Sequence, residues 1–298
     1  MFTGKKITFL GAGNMAEALI SGMIKGKLVS PAQICATDID LKRLKYMEPK
    51  YKIRVSSDNQ KAVSTADIIV VAVKPQVLQE VLGGLKLTSK RSRFVISVVA
   101  GTTIDTLRGQ LPKETPVVRA MPNTPAMVSE GVTALASGPG VSSKDMDQTE
   151  SIFLSVGKVV KVNESLMDTV TGLSGGGPAY VYMMIEALTD GGVKMGLSRP
   201  IAHLLSTQTV LGAAKVVLES GEHPGSLKDQ VTSPGGTTIA GVHELERGKF
   251  RAIIMNAVES ATHRSQELGR QSQGKDLKGW RQTTKRGPSV AAKRSRKR

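Results

Sequence analysis

Two short runs in the sequence combine glycines with helix-starting residues in a way that suits anion chemistry. The first is Gly11, Ala12, Gly13, Asn14 and Met15, followed by Ala16; the second is Ser233, Pro234, Gly235, Gly236, Thr237 and Thr238. After each turn an apolar helical period begins, through Ala18, Leu19, Met23 and Ile24 in one case and Ile239, Val242 and Leu245 in the other. The free N–H groups and dipole of such a helix start hold an anion, and glycine lets a ligand reach the backbone with no side chain in the way. A plain connection between two packed helices would use the proline and the glycines of the second run, but not its pair of hydroxyls.

The elements around the first run set its context. Residues 6–10 form a short apolar strand, so the glycines stand between a strand and a helix. The pattern is G-x-G-x-x-G with Ala16 at the third glycine, where only a small residue is needed for helix-on-strand packing. A second strand, residues 34–38, ends in Asp38, about 20 residues beyond the glycines, where a carboxylate usually accepts the ribose 2′-hydroxyl of NAD. Lys42 and Arg43 follow on the next helix and Asn59 opens a later one, so a 2′-phosphate could also be accommodated. Spacing alone leaves the coenzyme open.

Three further apolar runs read as parallel strands: residues 66–73, stopped by Lys74 and Pro75; residues 94–100, stopped by Gly101; and residues 116–120, stopped by Met121, Pro122 and Asn123. Ligands of open α/β sheets sit beyond the carboxyl ends of the strands. Ala72, Val73, Lys74, Pro75, Ala100, Gly101, Met121 and Asn123 are therefore expected to line one crevice with the glycine turn. Residues 132–136 and 158–162 would complete the sheet. The first domain, a Rossmann-type dinucleotide-binding unit, is expected to span residues 1–163.

Beyond it the period becomes helical. Pro178 starts a long helix ending near Gly196, Ser198 caps another running to about Ser220, and a last one runs from about Lys249 to Leu268. The expected fold class is thus α/β, with an all-α dimerisation and substrate domain at residues 164–269. Its Met-rich and Ala-rich helices carry more apolar surface than about 105 residues can bury alone, so a partner chain is expected against them.

The chain has 298 residues, 40% of them hydrophobic, and a single cysteine, Cys35, which excludes an intrachain disulfide and suits a reducing compartment. Without an N-terminal apolar h-region or an unbroken apolar run of about 18 residues, a soluble, cytoplasmic protein with no membrane role is expected. The net charge of +16 is concentrated in residues 270–298, where eleven Lys or Arg face one acid, Asp276. That tail has no hydrophobic period and reads as disordered, suited at most to weak binding of polyanions and not to a nucleic-acid-binding function. His203, His223, His243 and His263 form no i, i+4 ligand pair, so no metal site is expected.

Taken together, Gly11 to Ala16, Ala72 to Pro75, Met121 to Pro125, the Thr171 to Tyr180 run, the Asp190 to Leu197 run and the segment from His223 to Glu246 resemble the pyrroline-5-carboxylate reductases. The similarity runs from about Ile7 to Leu268. It implies reduction of the ring imine of (S)-1-pyrroline-5-carboxylate to L-proline, with NADPH usually preferred over NADH. It also implies a helical domain interlocked with that of a partner chain, often with dimers assembled into a decameric ring. One departure is Gly176, where the family usually has Ser.

The residues suit that chemistry on their own account. A small anion with one electrophilic carbon needs a holder for its carboxylate, a hydride donor against one face and a hydrogen-bond partner for its ring nitrogen. Ser233, Gly235, Gly236, Thr237 and Thr238 are the candidate substrate-binding group, the amides of residues 235–237 being the holder. The Thr238 hydroxyl is the candidate catalytic partner of the nitrogen. A β-hydroxyacid-type dehydrogenase would also join such domains, but it needs a buried lysine in the helical one, where Lys194 and Lys215 are the candidates.

Overall fold

The computed structural model describes residues 2–87 and 93–272, the last two without side chains. Eight strands form one sheet: β1 (Ile7–Leu10), β2 (Ile34–Thr37), β3 (Arg54–Ser56), β4 (Ile68–Val71), β5 (Phe94–Ser97), β6 (Val117–Met121), β7 (Gly131–Ser137) and β8 (Gly157–Lys161). Their order is β3-β2-β1-β4-β5-β6-β7-β8. Ile7 of β1 lies opposite Ile34 on one side and Ile68 on the other, and every pairing is parallel except β6 with β7. The chain leaves β1 for β2 in one direction and returns to β4 in the other, so the glycine turn lies at the switch point.

Strands β1, β2, β4 and β5 are buried along their whole length. Their apolar runs are unbroken because helices cover both faces of the sheet. The helices are α1 (Asn14–Lys25), α2 (Leu41–Tyr51), α3 (Asn59–Ser64), α4 (Leu78–Gly83), α5 (Ile104–Arg108) and α6 (Ser143–Leu154). α1, α2 and α6 pack one face around Phe9, Leu19, Met23, Met47 and Phe153; α3, α4 and α5 pack the other around Leu10, Val63, Ile69, Leu82 and Leu107. Each such side chain, fully buried, contributes about 1.5–3 kcal/mol relative to exposure.

Next come α7 (Met167–Val170), a π-helical turn over Thr171–Gly175, α8 (Gly177–Lys194), α9 (Arg199–Ser220), α10 (Pro224–Gln230), α11 (Thr237–Arg247) and α12 (Phe250–Ser272). α8 and α9 close on each other where Gly192 lacks a side chain; a Cβ there would sit 3.1 Å from that of Ala202. Their outward faces stay open, with Met183, Leu204 and Leu218 exposed. By length and composition α9 could cross a membrane, one such helix among the described residues. Ser206, Thr207, Gln208 and Thr209 interrupt its apolar sequence, which is why no unbroken run was visible.

One boundary and one cap differ from the sequence reading. α12 continues to Ser272 through residues that composition assigns to the tail. Ser198 stands at the N-cap of α9, yet its side chain makes no capping hydrogen bond. The tail readings for residues 273–298 lie outside the described residues.

The helices are fixed to the sheet at named points. Arg119 on β6, 3% exposed, lies 3.4 Å from Glu164 and 3.6 Å from Asp168. Glu164 accepts the Ile104 N–H at 2.6 Å, and Ser265 of α12 donates to Asp168 at 2.7 Å. A Cβ on Gly172 would lie 2.4 Å from Thr262 Oγ1, so the π-turn meets α12 closely.

Candidate active site

The glycine turn is shaped by two different demands. Gly11 has φ +95°, and a Cβ there would lie 2.5 Å from the Ala72 carbonyl oxygen, so only glycine fits. At Gly13 the space is open. Gly13 is also the N-cap of α1, where no side chain caps the helix, and Ala16 behind it is fully buried. An open approach to uncapped amides at the end of a parallel strand is a cradle for an anionic phosphate.

The residues expected at the adenosine end are arranged differently from their sequence reading. Asp38 already accepts two hydrogen bonds, from Ala12 N–H on one oxygen and from Asp40 N–H on the other, both at 2.9 Å. Arg43 donates from Nε to the Ala12 carbonyl at 2.6 Å and pairs with Glu17. The arginine expected to face a 2′-phosphate is thus engaged with the turn itself. Asn59 accepts the Thr37 hydroxyl at 2.5 Å, which leaves its amide nitrogen without a partner among the described residues. Lys42 is exposed, and its ammonium has no partner among the described residues.

Because β4, β5 and β6 are parallel neighbours, their ends share one edge with the turn. Ala72 and Val73 are half-buried there, Lys74 and Pro75 are exposed, and Ala72 N–H donates to the Leu10 carbonyl at 2.8 Å. Ala100 leads into Gly101, which has φ +67° and lies against Leu268 of α12. Met121 faces the π-turn, where a Cβ on Gly175 would meet its methyl at 2.9 Å. Asn123 differs from the expectation of a free coenzyme ligand: its side chain donates to the Ser174 carbonyl at 3.1 Å and accepts the Val132 N–H at 2.9 Å. It ties the β6–β7 connection to the π-turn and lines a cavity of about 290 Å³ with Ser174, Pro178 and Tyr182. The Thr171 to Tyr180 run was marked only as a resemblance motif, because its glycines give no period from which a π-turn could be read.

The second turn has Gly235 at φ +67° and Gly236 as the N-cap of α11. Gly236 N–H donates to the Ser233 carbonyl at 3.0 Å, so one of the three amides expected to hold a carboxylate is spent within the turn. α11 has no side-chain cap; Thr237 and Thr238 lie inside it, exposed, and the Thr238 hydroxyl has no partner among the described residues. Thr238 is therefore not a helix cap. Residues 233–238 line neither the 290 Å³ cavity nor those of about 600 Å³ beside α1 and 720 Å³ on α8 and α9. Gly176, the departure noted above, leaves room for the Tyr180 hydroxyl, which donates to the Gly172 carbonyl at 3.1 Å; a Cβ at 176 would lie 2.7 Å from the Tyr180 hydroxyl oxygen. Lys194 and Lys215 are both exposed, so neither is the buried acid/base of a β-hydroxyacid-type dehydrogenase.

A parallel sheet with a glycine turn at its switch point, joined to a helical unit with its own uncapped glycine turn, is the architecture of a dinucleotide-dependent oxidoreductase. Residues 164–268 match the family model for pyrroline-5-carboxylate reductase dimerisation, and residues 6–101 that for NADP oxidoreductase, coenzyme F420-dependent. A pyrroline-5-carboxylate reductase of Methanosarcina acetivorans is 49% identical over 266 residues, 89% of this chain and 98% of that protein. The Arabidopsis thaliana enzyme is 45% identical over 88% of this chain and 95% of its own length. Among solved structures, the Plasmodium falciparum pyrroline carboxylate reductase with NADP bound superposes with a TM-score of 0.81 at 36% identity, covering 89% of this chain and 98% of that one. The chain belongs to the pyrroline-5-carboxylate reductase family.

Proposed function

We infer that this chain reduces the ring imine of (S)-1-pyrroline-5-carboxylate to L-proline, the final step of proline biosynthesis, with NADPH preferred over NADH. The observation that supports the reading is a pair of helix starts built alike, each with an extended, uncapped glycine N-cap (Gly13 and Gly236) closing a turn that contains a left-handed glycine (Gly11 and Gly235): α1 behind the glycine turn suits a dinucleotide pyrophosphate, and α11 suits a small carboxylate.

The cradle fits the coenzyme, because Gly13 leaves open the side that a Cβ would fill. Gly13, Asn14 and Met15 hold the pyrophosphate through their amides, while Gly11 and Ala12, whose N–H groups go to the Thr37 carbonyl and to Asp38, shape the turn, and Ala72 to Pro75, Ala100, Gly101, Met121 and Asn123 frame the crevice. Asn59 and Lys42 are the groups for a 2′-phosphate. When bound, the reduced nicotinamide supplies the hydride, which no amino-acid side chain can. At the second turn the Gly235 and Thr237 amides, the two of the expected three not used within the turn, hold the substrate carboxylate, with Ser233 and Gly236 shaping the turn. The Thr238 hydroxyl bonds the ring nitrogen and carries a proton to it from water when the imine arrives unprotonated.

The second turn is exposed in a single chain, and so are the apolar faces of α8, α9 and α12. A homodimer through these helices would cover both, and a ring of five dimers is its larger form. The proposed location is the cytoplasm, in keeping with the one buried free thiol, Cys35. Residues 270–298 would add weak, salt-sensitive polyanion binding.

Oxidation of NADPH and NADH, each measured side by side with pyrroline-5-carboxylate and with a panel of oxo acids, tests the reading. Turnover confined to the imine and faster with NADPH is expected. Turnover of an oxo acid with none of the imine would replace it with a hydroxyacid dehydrogenase.

A further inference from the structure

The backbone on either side of Ala12 is gripped from α2 and the turn before it. Its N–H donates to Asp38 Oδ2 at 2.9 Å, and its carbonyl accepts from Arg43 Nε at 2.6 Å. In a trans peptide the carbonyl and the following N–H point in opposite directions. An Ala12 carbonyl aimed at Arg43 therefore aims the Gly13 N–H away from α2, and it is at Gly13 that the surface is open.

Arg43 is in turn held by α1. Its terminal nitrogen pairs with Glu17, whose carboxylate also accepts from Tyr51 Oη at 2.7 Å, Lys50 Nζ at 2.9 Å and Tyr46 Oη at 3.1 Å. The Arg43 and Glu17 side chains are 22% and 15% exposed, and the guanidinium also stacks over Tyr46, 5.0 Å from the ring centre. Asp40 fixes the start of α2 by accepting the Lys42 N–H at 2.9 Å. The planar fork of an arginine can serve a carbonyl and a carboxylate at once, which a lysine ammonium cannot do in the same geometry.

We propose that Arg43 is a positioning residue for the coenzyme pyrophosphate: anchored by Glu17, it sets the Ala12–Gly13 peptide so that the Gly13 amide faces the phosphate. It does not contact the 2′-phosphate. The proposal rests on the reading of the glycine turn as a dinucleotide site, and it requires Arg43 to act equally on coenzymes with and without the extra phosphate.

Calorimetric titration of the full chain with NADP⁺ and with NAD⁺ decides it. Arg43→Met should raise both dissociation constants by about tenfold, the size expected for one hydrogen bond from a charged donor, and by factors that agree within about threefold. Arg43→Lys keeps a cation opposite Glu17 but loses the fork, so it should show the same loss with an unchanged thermal midpoint. Glu17→Gln should weaken both coenzymes, and combined with Arg43→Met it should add nothing further, because the two act as one unit. A loss for NADP⁺ at least ten times that for NAD⁺ would make Arg43 a direct phosphate ligand and overturn the proposal. Wild-type binding in Arg43→Lys would reduce the contact to a surface ion pair and overturn it as well. If the unaltered chain binds neither dinucleotide, the coenzyme reading itself fails and takes this proposal with it.

Discussion

Gly236 and Thr238 lie two residues apart but should fail differently. A Cβ at 236 would lie 2.3 Å from Ser233 Oγ, which must rotate aside, and 3.1 Å from the Ser233 carbonyl oxygen; the branched side chain of Gly236→Val would stand where the substrate meets the backbone. Substrate binding should collapse, with NADPH binding retained, as steady-state KM and calorimetry would show. Thr238→Ala leaves the amides in place and removes one hydroxyl that matters most as hydride arrives; kcat should fall by about one to three orders of magnitude with little change in KM. Near-normal turnover would assign the proton to water or to an already protonated imine. Glu17 carries a pH signature. Burial raises its pKa, but hydrogen bonds from Tyr51, Lys50, Arg43 and Tyr46 outweigh that and lower it from 4.5 to about 2. Its contribution to stability is complete above the unfolded value and is lost as pH falls from about 4.5 through about 2. Denaturant unfolding should show a stability gap between the wild type and Glu17→Gln that is constant from about pH 7 to 5 and shrinks below; a gap unchanged at pH 3 would contradict this. Residue types and spacing located the turn, its acid and its arginine. They could not show that Asp38 and Arg43 reach back to Ala12, because that depends on how α2 lies across the turn.

Among the elements, the β1–turn–α1 unit depends most on a single position. Gly11→Ala combines a left-handed backbone with a contact of 2.5 Å to the Ala72 carbonyl, fixed backbone that cannot swing aside. A loss of about 2–5 kcal/mol in unfolding free energy is expected, with coenzyme binding lost as β4 is pushed from β1. A stable variant that still binds NADPH would refute this account of the turn. Long buried strands and long helices were legible because each repeats one period over many residues. β3 was not, since its three residues at the sheet edge, Arg54, Val55 and Ser56, bury little and show no pattern. Nor was the end of α12, where Arg270 and Gln271 look like tail by composition, yet the helix runs on to Ser272 past Gly269, which packs on Gly101. The packing of another element, not the local sequence, decides such boundaries.

At the scale of the whole molecule, the helices of one chain leave Met183, Leu204, Leu211, Leu218 and Met255 exposed, an apolar surface that calls for a second copy. A chain ending at Ser272 should retain the oligomer and the reductase activity, because α12 with its contacts to Gly101 and Gly172 is then complete. Light scattering of that chain should match the full length, and a shift to monomer would place residues 273–298 in the assembly. The sequence pointed to this interface only as surplus apolar surface, since which faces pair depends on the partner's geometry. Passage of one hydride from the coenzyme to the imine carbon of the ring is tested most directly by isotope transfer. Incubation with pyrroline-5-carboxylate and NADPH carrying deuterium at both positions of its reactive carbon should give L-proline one mass unit heavier, with the deuterium at ring carbon 5. Proline without deuterium, or no proline while an oxo acid is reduced, would contradict it.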